Sequence, residues 1–314
     1  MDPPPLNISR EQASFVAEQK TIPTDIFLEV LVSVDDKLYE KVGKWYNNGI
    51  WNKNKNNPEL HVGDQEEEVT LYIRKFITAV NFRFENKFPT PNIKLHISDI
   101  MFEKNPSFVE RLGPYYSNAI NTSKTLTNMV KYFGRKVLYH DPKADLVIFL
   151  TGERELCDIK CKNEPRLNGL AFRGGACYGA SVPGLMYGAA IVRDSGAFSG
   201  VFAAAHEIGH ILGATHDGEN NCCCSDDGFI MRASLSYSRA KQQNIHRWSK
   251  CACEDINSFL SSAQAAQCLY NKPIHTPYPL MEWEDLIAPN VPSLTDQCSV
   301  SRKKGISFLL INYY

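Results

Sequence analysis

The sequence lacks both a long apolar run and a dominant charge. No stretch of roughly 18 or more apolar residues occurs, so no segment predicts a membrane-spanning helix. Lys and Arg together number 34 and Asp and Glu number 35, which gives a net charge of -1. Such a balance gives no overall attraction to nucleic acid or to an anionic membrane, and we expect neither as a partner. With 43% hydrophobic residues among 314, the chain is predicted to be globular.

The sequence also lacks paired C-x-x-C motifs, although it has ten cysteines. Three are adjacent and seven are scattered: Cys222, Cys223 and Cys224, then Cys157, Cys161, Cys177, Cys251, Cys253, Cys268 and Cys298. This spacing disfavours a structural zinc cluster and favours disulfides formed in an oxidising compartment. Secretion predicts an apolar leader, but the chain opens with MDPPPLNISREQ. We therefore expect the true N-terminus to lie upstream; the alternative is a cytosolic chain.

Strand-like and helix-like segments alternate over the first half of the chain. The segments TDIFLEVLVSVD, NIKLHISDIMF and ADLVIFLTG predict strands, the first of them an inner strand. An amphipathic helix from Glu66 to Asn86 and a helix at TSKTLTNMVKYFGRKVLYH lie between them. This order predicts an α/β layer with a largely parallel sheet. RLNGLAFRGGACYGA is predicted to be an edge strand because of its glycines, and Asp255 to Gln267 a later helix.

The segment AAAHEIGHILGATHDG carries the chemistry. A helix over Gly200 to Leu212 places His206 and His210 on one side, one turn apart, where two ring nitrogens can converge on zinc. Glu207 lies beside the first ligand, within reach of a water at the metal. Gly213 is predicted to end the helix, so the third ligand, His216, comes from a loop. Three protein ligands leave one position open, as in catalytic zinc sites.

The alternative to a metal site is that these residues have only a structural role in the core. A lone buried histidine is usually a hydrogen-bonded core residue, and a bare H-E-x-x-H match can be accidental. Met231 alone is most simply core filler. The glycine and the third histidine at the required offsets, with GFIMRAS downstream, favour the zinc interpretation.

With these motifs the chain resembles the metzincin zinc proteases, and among them the adamalysin or reprolysin branch. Asp217 follows the third histidine, and Ala233, not a tyrosine ligand, stands two residues after Met231. FLEVLVSVDDKLYEK, NGLAFRGGAC, RWSKCACEDINSFL and CLYNKP are similar to family segments in the same order. The resemblance covers about Thr24 to Pro273, and ELCDIKC with GGAC is most similar to the ADAMTS-type and arthropod salivary enzymes.

The resemblance implies an α/β (α+β) catalytic domain with a mixed twisted sheet, long helices and a smaller cysteine-stapled lower lobe. Substrate would lie extended along the edge strand of Leu170, Ala171 and Phe172. Glu207 would act as general base, and Met231 would form the floor beneath the zinc ligands. Asp217 would bond within the lower lobe without touching zinc.

Further expectations come from the same resemblance. A structural calcium would take Glu29, Asp145 and Asn271 as side-chain ligands, although each could be an ordinary polar residue. Disulfides would join Cys157 to Cys161, Cys177 to Cys268, and Cys251 to one of the three adjacent cysteines; the partner of Cys253 stays open. We expect an N-terminal segment at 1–23 that could be left from a propeptide, a catalytic domain at 24–273, and the start of a truncated disintegrin-like, cysteine-rich segment at 274–314.

The predicted function is that of a secreted, monomeric zinc endopeptidase that cleaves extended peptide segments of extracellular proteins. The alternative is a catalytically silent binding or toxin-like module with the same fold. Intact His206, Glu207, His210 and His216 favour the enzyme. A zinc hydrolase of the thermolysin type is disfavoured because the third ligand is a histidine at metzincin distance. The loop at Arg232 to Tyr237 is expected to shape the specificity pocket.

Overall fold

The computed structural model describes residues 1–4, 21–47, 65–85, 88–89, 91–114, 119–139, 144–157, 167–223, 227–233, 244–273 and 276–282. The strands are β1 (Asp25–Asp35), β2 (Asn92–Glu103), β3 (Ile120–Asn121), β4 (Leu146–Thr151), β5 (Leu156–Cys157), β6 (Gly169–Ala171) and β7 (Ala189–Arg193). The helices are α1 (Asp36–Asn47), α2 (Gln65–Glu85), α3 (Thr122–Tyr139), α4 (Tyr178–Ser181), α5 (Val201–Ile211), α6 (Lys250–Leu260) and α7 (Ala263–Ala266). No described helix is both long enough and apolar enough to cross a bilayer.

The main sheet has five strands in the order β2-β1-β4-β7-β6. Its first four strands are parallel, and β6 pairs antiparallel with β7 at the edge. The predicted parallel sheet, the inner position of β1 and the edge position of the glycine-rich strand are therefore confirmed. A smaller sheet pairs β3 with β5.

Helices cover both faces of the main sheet, and alternate strand residues point to opposite faces. Leu146 and Ile148 of β4 face the core shared with α2 and α5, whereas Val147 and Phe149 face α3. The helix α2 buries the predicted stripe: Val69, Tyr72, Ile73, Phe76, Ile77 and Val80. The mixed α/β fold class is thereby confirmed.

The chain after α5 forms the smaller lower lobe, which comprises the described residues 213–223, 227–233 and 244–273. Ile230, Met231, Trp248 and Ile256 of this lobe join the core that contains α5. The ligand helix is thus packed between the sheet and the lower lobe.

Several elements differ from the sequence prediction. The helix predicted at Asp255 to Gln267 begins earlier, at Lys250, and is divided into α6 and α7, because Ser249 and Ser262 each accept a backbone N–H and start a new helix. The strands β3, β5 and β7 and the helices α1 and α4 were not predicted. The predicted edge strand RLNGLAFRGGACYGA is a strand only at Gly169–Ala171, and its last residues belong to α4. The run AAIVR in β7 is short and apolar throughout apart from its last residue, so it carries no alternation.

Candidate zinc site

The helix α5 positions two of the three candidate zinc ligands. His206 and His210 lie one turn apart on it, and their ring centroids are 4.8 Å apart. The helix forms because Ala203, Ala204 and Ala205 are strong helix formers, and its apolar residues join the core. Because the apolar side chains of α5 are buried against the sheet and against the lower lobe, the two histidines lie at the boundary between these two parts.

A glycine turn then returns the chain toward the helix. Gly213 has φ +97°, a left-handed conformation that side chains other than glycine rarely adopt. Its N–H donates to the carbonyl of His210 (2.8 Å), and the next N–H, from Ala214, donates to the carbonyl of Gly209 (2.9 Å). These two bonds form a Schellman motif, which ends the helix as predicted and lets His216 approach from the loop.

The three imidazoles converge through their Nε2 atoms. Nε2 of His216 lies 3.3 Å from Nε2 of His206 and 3.1 Å from Nε2 of His210. One ligand nitrogen from each ring lies within 4.8 Å of the others. Such a cluster of neutral nitrogens is the ligand set that zinc prefers, with room for a fourth ligand.

Each ring is oriented by a bond at its other nitrogen. Nδ1 of His206 donates to the carbonyl of Ile230 (2.7 Å) and Nδ1 of His210 to the carbonyl of Ala214 (2.8 Å). Nδ1 of His216 lies 3.0 Å from a carboxylate oxygen of Glu219. Because carbonyls and carboxylates only accept, the proton is on Nδ1 and the Nε2 lone pair is left for a metal. The donor set therefore fits zinc.

Burial also sets the charge of these groups. Removal from solvent lowers the pKa of His206 to about 4, against a smaller opposing effect of the Ile230 carbonyl, and it holds the pKa of His210 well below its usual range. Both rings are consequently neutral at physiological pH, as metal ligands must be. Burial raises the pKa of the Glu207 carboxyl to about 8.

Glu207 lies between α5 and the edge strand β6. A Cβ atom at Gly169 would be only 2.6 Å from Oε1 of Glu207, so the carboxylate packs directly on the glycine. At the other end of the strand, the N–H of Gly174 donates to the carbonyl of His210 (2.8 Å). The predicted substrate strand, Leu170 to Phe172, thus runs along the helix that carries Glu207 and the ligands.

Met231 and Asp217 lie in the lower lobe, close to the ligands. The sulfur of Met231 would be 2.6 Å from a Cβ at Gly209, so it packs against the ligand helix between His206 and His210. The buried carboxylate of Asp217 accepts from the hydroxyl of Ser249, and the N–H of Asp217 donates to the carbonyl of Met231 (2.9 Å). Of the loop at Arg232 to Tyr237, positions 234–237 lie outside the described residues.

Two of the three candidate calcium ligands are brought together. The N–H of Glu29 donates to Oδ2 of Asp145 (2.8 Å), and burial, with a further contribution from Glu29, holds the pKa of Asp145 well above its usual range. Asn271 follows α7 and is exposed.

Two disulfides lie within the described residues. Cys177 is joined to Cys268, and Cys251 is joined to Cys223 of the triple cysteine, as the resemblance implied. Cys222 and Cys253 are free thiols. Cys253, whose partner the sequence left open, therefore forms no disulfide within the described part of the chain. The expected pairing of Cys157 with Cys161 cannot be followed, because Cys161 lies outside the described residues. Cys224 and Cys298 also lie outside them.

Several contributors to the site were not predicted. Gly169 and Gly209 permit the close approaches to Glu207 and Met231, Ser249 holds Asp217, and Glu219 orients His216. The sequence signal for the glycines was their position beside motif residues. No local pattern marks Ser249 as a partner of a residue 32 positions away.

The histidine triad beside a buried glutamate, on a helix below an edge strand, defines a metallopeptidase site. Residues 70–217 match the family model described as metallo-peptidase family M12B, reprolysin-like. A snake venom metalloproteinase, fibrolase, from Macrovipera lebetinus is 30% identical over 163 residues, which cover 49% of this chain and 77% of that protein. The chain belongs to the reprolysin-like M12B metallopeptidases.

Longer relatives match most of the chain. A protein of Bombyx mori described as "A disintegrin and metalloproteinase with thrombospondin motifs like" is 29% identical over 272 residues, or 82% of this chain. The mouse protein "A disintegrin and metalloproteinase with thrombospondin motifs 16" is 28% identical over 84% of this chain. The chain spans only 35% of the length of the former and 18% of the latter.

Proposed function

We propose that this chain is a secreted zinc endopeptidase that hydrolyses extended peptide segments of extracellular proteins. The observation that carries the proposal is the convergence of three Nε2 atoms, each on a ring whose Nδ1 is engaged elsewhere, beside the buried carboxylate of Glu207. A chain used only for binding has no need of this combination of neutral ligands and an adjacent base.

The proposed mechanism assigns a task to each group. When bound, zinc acidifies a coordinated water and polarises the scissile carbonyl. Glu207 takes a proton from the attacking water and passes it to the leaving amine. The edge strand β6 holds the peptide by main-chain hydrogen bonds, and Met231 and Asp217 keep the lower lobe in place beneath the ligands.

The extracellular location is supported by the two described disulfides and by venom proteins among the relatives. We also propose that the catalytic domain comprises 24–273, flanked by the segments 1–23 and 274–314, and that it acts as a monomer. A structural calcium at Glu29 and Asp145 is supported by the burial of both carboxylates and by the charge effect of Glu29 that raises the pKa of Asp145, a repulsion that a divalent cation would neutralise.

The proposal is tested by separating the base from the ligands. In Glu207→Ala we expect zinc content equal to wild type and hydrolysis of a quenched peptide slower by about 10²–10⁴, because only the proton-transfer group is removed. The double variant His206→Ala/His210→Ala should lose the zinc itself. Zinc stoichiometry and peptide hydrolysis are measured on the same preparations.

Glu40→Ala is the matched control, since Glu40 is an exposed glutamate of α1, and it should behave as wild type. Unchanged hydrolysis by Glu207→Ala would show that Glu207 is only a structural carboxylate. Loss of zinc from that variant would show that Glu207 is a ligand. A wild-type protein that binds zinc but cleaves no peptide would favour the silent binding module.

A further inference from the structure

Arg173 lies at the end of the edge strand, next to the zinc site. It stands two residues after Ala171, where β6 ends. The next residue, Gly174, donates its N–H to the carbonyl of the ligand His210 (2.8 Å), and Ala176 donates to Ile211 (3.3 Å). This part of the chain is therefore fixed against α5 by main-chain bonds, and the Arg173 backbone is held at a constant distance from the ligands.

In the structure, the first residues of the chain itself contact Arg173 at two points. The N–H of Arg173 donates to the carbonyl of Met1 (2.6 Å). The guanidinium of Arg173 binds the carboxylate of Asp2 in a bidentate manner, with Nε to Oδ1 and Nη2 to Oδ2 both at 2.9 Å. One residue thus recognises a peptide carbonyl and the acidic side chain that follows it.

This pair of contacts is what an edge strand needs for selective peptide binding. Main-chain bonds provide affinity for any extended peptide, and side-chain contacts provide selectivity. The planar guanidinium matches a carboxylate through two parallel hydrogen bonds, a geometry that lysine cannot reproduce.

We propose that Arg173 is a specificity-determining residue that binds an Asp or Glu of the peptide substrate. The acidic residue directly follows the residue whose carbonyl receives the Arg173 N–H, and Met1 and Asp2 occupy these two positions in the described chain. The substrate class is accordingly an extended peptide with an acidic side chain at one defined position. This inference rests on the proposed peptidase function.

The size of the effect follows from exposure. The side chain of Arg173 is 41% exposed and that of Asp2 62%, so solvent screens the pair. We expect an acidic residue to lower KM by about two- to fivefold, the range of exposed ion pairs, with kcat unchanged and with the preference weakening as salt is added.

The experiment uses a neutral, quenched eight-residue peptide in which a single Asp is moved along the sequence, with Asn at the same place as the reference. For wild type we expect one position at which Asp lowers KM relative to Asn. The preference should vanish in Arg173→Ala and turn in favour of Asn in Arg173→Glu. Arg111→Ala is the matched control, because Arg111 is equally exposed, at 41%, and pairs with Glu153. Arg111 lies beside β3 of the smaller sheet, whereas β6 belongs to the main sheet, so this variant should keep the preference.

The proposal is overturned if wild type prefers Asp over Asn at no position. It is also overturned if the preference persists in Arg173→Ala, or if that variant slows all peptides equally, which is the result of a purely structural role. Binding of the fluorescent Asp and Asn peptides to Glu207→Ala protein, followed by anisotropy, separates this inference from the proposed function. Preferential binding that depends on Arg173 supports the inference even if no peptide is cleaved, whereas equal binding of both peptides contradicts it.

Discussion

Two glycines set how closely the side chains of the zinc site approach one another. At Gly169 the carboxylate of Glu207 takes the space of a Cβ, and at Gly209 the sulfur of Met231 and the ring of Trp248 do so. Trp248 is itself fixed, because its Nε1–H donates to the carbonyl of Arg83 (2.7 Å). The ligand helix and the lower lobe can therefore pack this closely only because residue 209 has no side chain.

Gly209→Ala tests this dependence. Alanine favours a helix by about 1 kcal/mol over glycine. Here its Cβ would lie 2.6 Å from the Met231 sulfur and 2.9 Å from the Trp248 ring, and overpacking costs about 1–3 kcal/mol. We expect a lower free energy of unfolding in urea, and weaker zinc binding because the floor under the ligands shifts.

Gly113→Ala is the control for Gly209→Ala. A Cβ at Gly113 meets no atom within 4 Å, so this variant should match wild type in both measurements. A Gly209→Ala protein more stable than wild type would show that the lower lobe yields easily at this point.

At the scale of the elements, one serine links the start of α6 to the loop that carries His216. The hydroxyl of Ser249 accepts the N–H of Ala252 as the helix N-cap and donates to the carboxylate of Asp217. Asp217 follows the ligand His216 directly in sequence. The start of a helix and the position of a ligand loop therefore share a single hydroxyl group.

Ser249→Ala should be markedly more harmful than Ser262→Ala. Both serines are N-caps, and losing a cap costs about 1 kcal/mol. Only Ser249→Ala also leaves the buried carboxylate of Asp217 without its partner, which adds about 1–3 kcal/mol. Urea unfolding of both variants measures the difference, and equal losses would exclude a stabilising role of the contact between Ser249 and Asp217.

Prediction from the sequence succeeded where one period or one motif dominates a segment. The stripe of α2 and the spacing of His206, His210, Gly213 and His216 are local, so they can be identified without knowing the fold. The strand β7 was missed because it is buried between two neighbours and shows no alternation. The contacts of Ser249 and Arg173 were missed because they join residues 32 and 171 positions apart, which only the folded chain brings together.

At the scale of the whole molecule, distant parts of the chain meet at one end of the sheet. The Cys177–Cys268 disulfide spans 91 residues, and its sulfurs lie within 4.8 Å of a carboxylate oxygen of Asp145. Asp145 accepts the N–H of Glu29 from β1, and the N–H of Phe27 donates to the carbonyl of Leu269 (3.5 Å). Strand β1, the chain before β4 and the end of the lower lobe are thus joined within a small volume.

A calcium ion at this junction should stabilise the whole domain. We expect millimolar calcium to raise the melting temperature of wild type, because a ligand that binds only the native state stabilises it, and chelation to lower it again. In Asp145→Asn the increase should disappear, while Asp36→Asn, at the start of α1, should retain it. An equal calcium effect in wild type and Asp145→Asn, measured by differential scanning calorimetry, would exclude this site.

The hydrogen bonds that orient the three imidazoles differ in whether a point mutation can remove the acceptor. His206 and His210 are oriented by backbone carbonyls, at Ile230 and Ala214, and a change of side chain at either position leaves the carbonyl in the chain. His216 is oriented by an exposed carboxylate, Glu219, which a single codon change can remove. Heritable variation in this protein can therefore adjust the third imidazole independently of the other two, and the strength of zinc retention can evolve without any change to the HEIGH segment itself.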